Sequence, residues 1–139
     1  MNLFERLLRR LELIQREPRI FIGGAGEGGV TENARLFGGL VAAQATMAAL
    51  NTVESFPLHS LHAYFLRPGR PDADIAFHVT SGKDGRNFAV RNVAAVQNDE
   101  LIFQLQGSFQ RVVGGVHHQP TMPQVPPPVN LPNRDQLRG

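Results

Sequence analysis

The chain has 139 residues, 42% apolar and 19% charged, with a formal net charge of +2. That length suits one globular domain with its own core and is short for two. Cysteine is absent, which excludes disulfides, thiolate zinc sites and a cysteine nucleophile. The pI of 9.9 reflects arginine content near neutrality. No basic cluster alternates with aromatics as a nucleic-acid surface requires, so no nucleic-acid partner is expected. No apolar run approaches the ~20 residues that span a bilayer, and the N-terminus MNLFERLLRRLELIQ breaks its leucines with charges, unlike a secretory signal. No membrane span and a cytoplasmic setting are the expectation.

Leu3, Phe4, Leu7, Leu8, Leu11 and Ile14 recur at three- and four-residue steps, which predicts an amphipathic helix over about residues 2–16, ending before Pro18. Arg19 to Ile22 suggests a short strand and Gly23 to Gly29 a glycine-rich loop. Within that loop Gly24-Ala25-Gly26-Glu27-Gly28-Gly29 fits the dinucleotide spacing G-x-G-x-x-G. The next helix starts several residues too late for that role, and the downstream strands read as hairpins, so a plain loop fits better. Thr31 or Asn33 is a candidate cap for the helix that follows. From Ala34 to Asn51 the chain is apolar nearly all round, the pattern of a buried helix. Gly38 and Gly39 mark its first turn or permit close packing. Thr46 is expected to bond back to its own helix, while Gln44 either faces a solvent gap or lines a cavity between helix and sheet.

The rest alternates with period two. PLHSLHAYFLRPG, Pro57 to Gly69, reads as a strand closed by an Arg-Pro-Gly turn. Strict alternation assigns His59, Leu61, Ala63 and Phe65 to one face and Ser60, His62, Tyr64 and Leu66 to the other. The two histidines then point apart, and no metal site is expected. Further strands are expected over 74–80, 88–96 and 101–110, the last with Leu101, Phe103, Leu105, Gly107 and Phe109 on its buried face. Gly82 to Gly85 and Asn98-Asp99 supply hairpin turns. Arg67, Arg70, Lys83, Arg86 and Arg91 read first as solvated hairpin charges, with phosphate contacts the other possibility. Prolines crowd the chain after Val113, so residues 1–113 form one domain and 114–139 a linker or tail, with His117-His118 solvated in it. The class is α+β: an antiparallel sheet wrapped around one long apolar helix, the hotdog arrangement.

The strings LFGGLVAAQA, LHSLHAYFLRPGRPDADI, DGRNFAVRNVAAVQN and LIFQLQGSFQ together resemble the N-terminal half of the TesB-type acyl-CoA thioesterases, the acyl-CoA thioesterase II family. H-S-x-H-x-Y-F-L-R-P-G and D-G-R-x-F are specific to that family, and the resemblance runs over nearly the whole chain. It implies one half of a double hotdog, hydrolysis of acyl-CoA to free fatty acid and CoA, no metal or other cofactor, and a proline-containing linker between halves. It also implies that the water-activating Asp, Thr or Ser, and Gln lie in a C-terminal hotdog, so no catalytic residue is carried over to this sequence. The substrate-binding candidates are Gly38, Gly39, Gln44, His59 and Arg67, with backbone amides near Phe37, Gly38 and Gly39 as oxyanion donors. The expected partners are acyl-CoA and a second hotdog, supplied by homodimerisation or by a C-terminal half. The alternative is a non-catalytic acyl-CoA binding or interaction module that forms a hotdog dimer.

Overall fold

The computed structural model describes residues 2–25 and 35–138. Helix α1 (Leu3–Leu11) leads into β1 (Ile14–Glu17) and β2 (Ile20–Gly23). Helix α2 (Gly38–Leu50) precedes β3 (Leu58–Phe65), β4 (Ile75–Asp84), β5 (Phe88–Gln97) and β6 (Glu100–Gln110). The six strands make one sheet in the order β1-β2-β4-β5-β6-β3, antiparallel at every pairing. Phe21, Phe77, Phe103 and Phe109 from the sheet bury against Ala45, Ala48 and Ala49 of α2, whose small side chains let the strands approach closely. This is the hotdog fold that the sequence predicts.

The first helix is shorter than its stripe suggests. Asn2 and Glu5 form a reciprocal capping box at its start, but it ends at Leu11 rather than near residue 16. The Arg10 carbonyl, which would accept from Ile14 in a longer helix, instead accepts from Gln44 Nε2 at 2.6 Å. Ile14 and Gln15 are drawn into a hairpin opposite Ile22 and Phe21. The second helix starts at Gly38, not Ala34. Leu36 is held extended by its amide, which donates to the Gly69 carbonyl at 2.9 Å, and Phe37 occupies the N-cap position without a side-chain cap bond. The cap candidates Thr31 and Asn33, like Gly26 to Gly29, lie outside the described residues.

Two β-bulges rewrite the expected strand faces. The register of β3 on β6 slips between Leu58 and Ser60. Leu58 thereby stands opposite buried Phe109, and His59 turns to the outer face, where its Nε2 meets Ser108 Oγ at 2.8 Å. His59 thus does not share a face with Leu61 and Phe65, and it points to the same side as His62, which is paired with Gln106. A second slip at Ala95/Val96 makes Ile102 the extra residue of β6; Ile102 is buried, and Leu101, expected inside, is only half-buried. Asn98 and Asp99 take positive φ, 50° and 62°, as a two-residue hairpin of primed type requires. Beyond Gln110 every described residue is exposed; this tail contains a 3-10 turn at Pro128–Asn130.

Candidate functional site

The start of α2 and the end of β3 border a cleft of about 340 Å³, floored by Val41, Phe65, Ile102 and Phe103 and flanked by Arg35 and Arg67. Its shape depends on Gly38. A Cβ at that position would lie 2.9 Å from Phe65 Cε1, so only glycine lets the ring lie against the helix start. Phe65 in turn meets Phe103 edge to face with centroids 4.8 Å apart. The first helical bonds run from the Leu40 and Val41 amides to the Phe37 carbonyl. The amides of Gly38 and Gly39 therefore precede the hydrogen-bonded ladder, at the positive end of the helix dipole.

Arg67 anchors one wall. Its Nη1 donates to the Leu101 carbonyl at 2.7 Å, and its Nε lies 3.8 Å from Glu100 in a half-exposed ion pair. The loop behind it is fixed by Gln97, which is buried in the sheet. Gln97 Nε2 donates to the carbonyls of Arg70 and Ala73, and its Oε1 accepts from the Arg70 amide at 2.7 Å. Arg70 itself forks onto Asp72, and that hydrogen bond holds the Asp72 carboxyl below the usual carboxylate range. The cleft thus offers an apolar floor, the backbone donor of Gly38 and two guanidinium groups. No Asp, Glu or His lines it among the described residues. It can seat an apolar chain with a polar, anionic end, but these walls supply no group to activate water.

Of the sequence candidates, Gly38 and Arg67 come together at this cleft, Gly39 follows Gly38 on the helix without lining it, and Gln44 and His59 lie elsewhere. Gln44 is 1% exposed and acts as a pin: its Nε2 reaches the Arg10 carbonyl at 2.6 Å and the Gly24 carbonyl at 2.9 Å. It ties α1 and the end of β2 to α2. Among the described residues its Oε1 has no hydrogen-bond partner, and it sits so close to Gly23 that a Cβ there would be 2.9 Å away. Thr46 bonds back to the Ala42 carbonyl at 2.8 Å, as expected. His62, with His78, Tyr64 and Gln104, borders a separate hollow on the outer sheet face. Among the described residues no cluster of three His, Cys, Asp or Glu side chains is close enough to hold a metal ion.

Arg91 is neither a solvated hairpin charge nor a phosphate ligand. It is 4% exposed, and its guanidinium donates to Thr52 Oγ1 and the Thr52 carbonyl, to Ser81 Oγ, to the Lys83 and Val90 carbonyls and to Asp84 at 2.6 Å. All three nitrogens are engaged, so the group welds the end of α2 to the β4–β5 hairpin. Hydrogen bonds from Ser81 and then Arg91 hold the Asp84 carboxyl below the usual carboxylate range. A signal for Arg91 and Gln97 was present in the sequence: both fall on the inward phase of β5, in step with Ala89, Val93 and Ala95.

Residues 28–110 match the family described as "Acyl-CoA thioesterase N-terminal domain". "Acyl-CoA thioesterase 2" of Haemophilus influenzae is 38% identical over 137 residues, which is 98% of this chain and 47% of that protein. "Acyl-coenzyme A thioesterase 8" of Rattus norvegicus is 43% identical over 110 residues, 78% of this chain and 34% of that one. Among solved structures, "Acyl-CoA thioesterase II TesB2 from Mycobacterium marinum" superposes with a TM-score of 0.77 at 40% identity, over 93% of this chain and 48% of that one. The chain spans between a third and a half of the length of these relatives.

Proposed function

We propose, from the premise that this chain belongs to the acyl-CoA thioesterase family through its N-terminal domain, that it serves as one half of an acyl-CoA thioester hydrolase. The observation that carries this reading is the cleft at the start of α2. Its apolar floor suits an acyl chain, the Gly38 and Gly39 amides suit a thioester oxygen that gains charge in the transition state, and Arg35 and Arg67 suit the phosphates of CoA. Hydrolysis also needs a general base for water, and none lines this cleft among the described residues. The base belongs to a second hotdog unit carried by further chain, joined through the proline-rich segment 114–139, which acts as a linker.

The second unit docks on β3. This strand ends the sheet and pairs only with β6 among the described strands, and its Leu61, Tyr64 and Phe65 are exposed. A bare edge with apolar side chains is a surface for strand pairing. The enzyme acts on fatty acyl-CoA in the cytoplasm; no described helix is long and apolar enough to cross a membrane. The test is calorimetric titration of the purified chain with a non-hydrolysable long-chain acyl-CoA thioether. Saturable binding is expected, weakened severalfold by Gly38→Val and by Arg67→Ala and unchanged by His59→Ala. Absence of binding, or binding indifferent to Gly38→Val, overturns this assignment of the cleft.

A further inference from the structure

We infer that the exposed apolar stripe of α1 is a second seat for the partner hotdog unit, occupied in this chain by a second copy of itself. The inference rests on the pairing proposed above and adds a contact area apart from the β3 edge. Leu3, Phe4, Leu7 and Leu8 are 82%, 66%, 49% and 46% exposed, and α1 buries none of its residues. At about 100° per residue these four and Leu11 fall on one arc that contains no charge, with Glu5, Arg6, Arg9 and Arg10 outside it. A helix of this length is marginal in water without packing. Yet both ends of α1 are fixed, the first by the Asn2–Glu5 capping box and the last by Gln44 on the Arg10 carbonyl. The helix is held in position while its adhesive face stays uncovered.

Three observations select a second hotdog unit as the occupant. The stripe turns toward the protein at its C-terminal end, where Leu11 is half-buried and Leu13 packs on the core. It therefore extends the surface of α2, whose Ala42, Thr46 and Met47 are themselves only half-buried, and suits a solid body lying alongside better than a flat bilayer. The chain also carries complementary apolar surface away from the β3 edge, in Phe37 beside the start of α2, which is 78% exposed. In a two-fold pair each stripe can meet the other copy's patch, so one kind of contact forms twice. Finally, the Haemophilus influenzae and Mycobacterium marinum relatives are about twice as long as this chain, room for a second unit of its size.

The test is sedimentation equilibrium of the 139-residue chain over a wide concentration range, for the wild type, for Leu3→Glu/Phe4→Glu and for Leu8→Lys. Circular dichroism at a concentration where all are monomeric verifies that the variants fold. The expected result is a reversible wild-type dimer whose Kd rises at least tenfold in both variants. Amide exchange within Leu7–Leu11 should slow as the wild-type concentration rises. A wild-type dimer with unchanged Kd in the variants overturns the α1 seat and leaves β3 pairing standing. A wild type that stays monomeric throughout overturns the α1 seat and leaves β3 as the docking edge for a second unit carried by further chain. Flotation of the wild type, but not the variants, with phosphatidylcholine–phosphatidylglycerol vesicles, with Kd unchanged, overturns the seat in favour of a lipid surface.

Discussion

Replacing Gln44 separates a structural pin from a substrate ligand. In Gln44→Leu the side-chain volume is nearly kept, while the bonds to the Arg10 and Gly24 carbonyls are lost. Two neutral hydrogen bonds are worth together about 2 kcal/mol. The leucine also removes the buried Oε1, which has no partner among the described residues and whose desolvation costs about 1 kcal/mol or more, so the net loss should be about 1 kcal/mol. Gln44→Glu should behave very differently. A carboxylate there would be buried and would face two carbonyl oxygens, a loss of several kcal/mol when ionised. Burial raises its folded-state pKa above the ordinary Glu value of about 4.3. The folded state then binds more protons than the unfolded state between those two values, so stability falls as pH rises through that window and recovers toward acid. Urea unfolding followed by circular dichroism at pH 5 and pH 8, with a constant slope as the two-state check, measures both variants. Acyl-CoA affinity of folded Gln44→Leu should match the wild type. If Gln44→Glu equals Gln44→Leu at pH 8, the site is open to water and the pin argument fails.

The Arg91 network yields two further predictions. Arg91→Ala leaves the Thr52 and Lys83 carbonyls without this donor and opens a cavity, so it should cost about 3 kcal/mol, read as a lower urea midpoint; a loss below about 1 kcal/mol would mean that water replaces the guanidinium. Asp84, whose side chain is 58% exposed, should matter less at neutral pH, and its signature is in acid. Its folded pKa is depressed by Ser81 and Arg91, so its contribution is complete above the ordinary carboxylate value and is lost as pH falls through the depressed one. Asp84→Asn should therefore flatten the decline of the urea midpoint between neutral and acidic pH, and an unchanged slope would remove Asp84 from the account.

The sheet was legible because its inward positions repeat with period two: Ile75, Phe77 and Val79, or Phe103, Leu105 and Phe109, are buried as that alternation requires. The errors come from pairings between distant segments. Nothing within LHSLHAYF marks a bulge, because the slip at Leu58/Ser60 is set by the match of Leu58 to Phe109 some fifty residues later; without it His59 is assigned to the wrong face. Ile102 turns inward for the same kind of reason, across the β5–β6 register shift. Ile14 fits both a helical stripe and a strand, and the Gln44 bond to Arg10 decides between them. The cleft was half legible. The Gly38-Gly39 pair announced a tight helix start, whereas Arg35, Ile102 and the Phe65–Phe103 contact reach the site only through tertiary structure.

The central claim is that this chain binds acyl-CoA at the start of α2 and takes its water-activating groups from a second unit. It is tested most directly by thiol release from medium- and long-chain acyl-CoA with the purified 139-residue chain alone, at enzyme concentrations where binding of the thioether analogue is saturated. The account predicts bound ligand with release no faster than in buffer. Sustained turnover that disappears with Gly38→Val would contradict it, because the base would then have to lie within this chain.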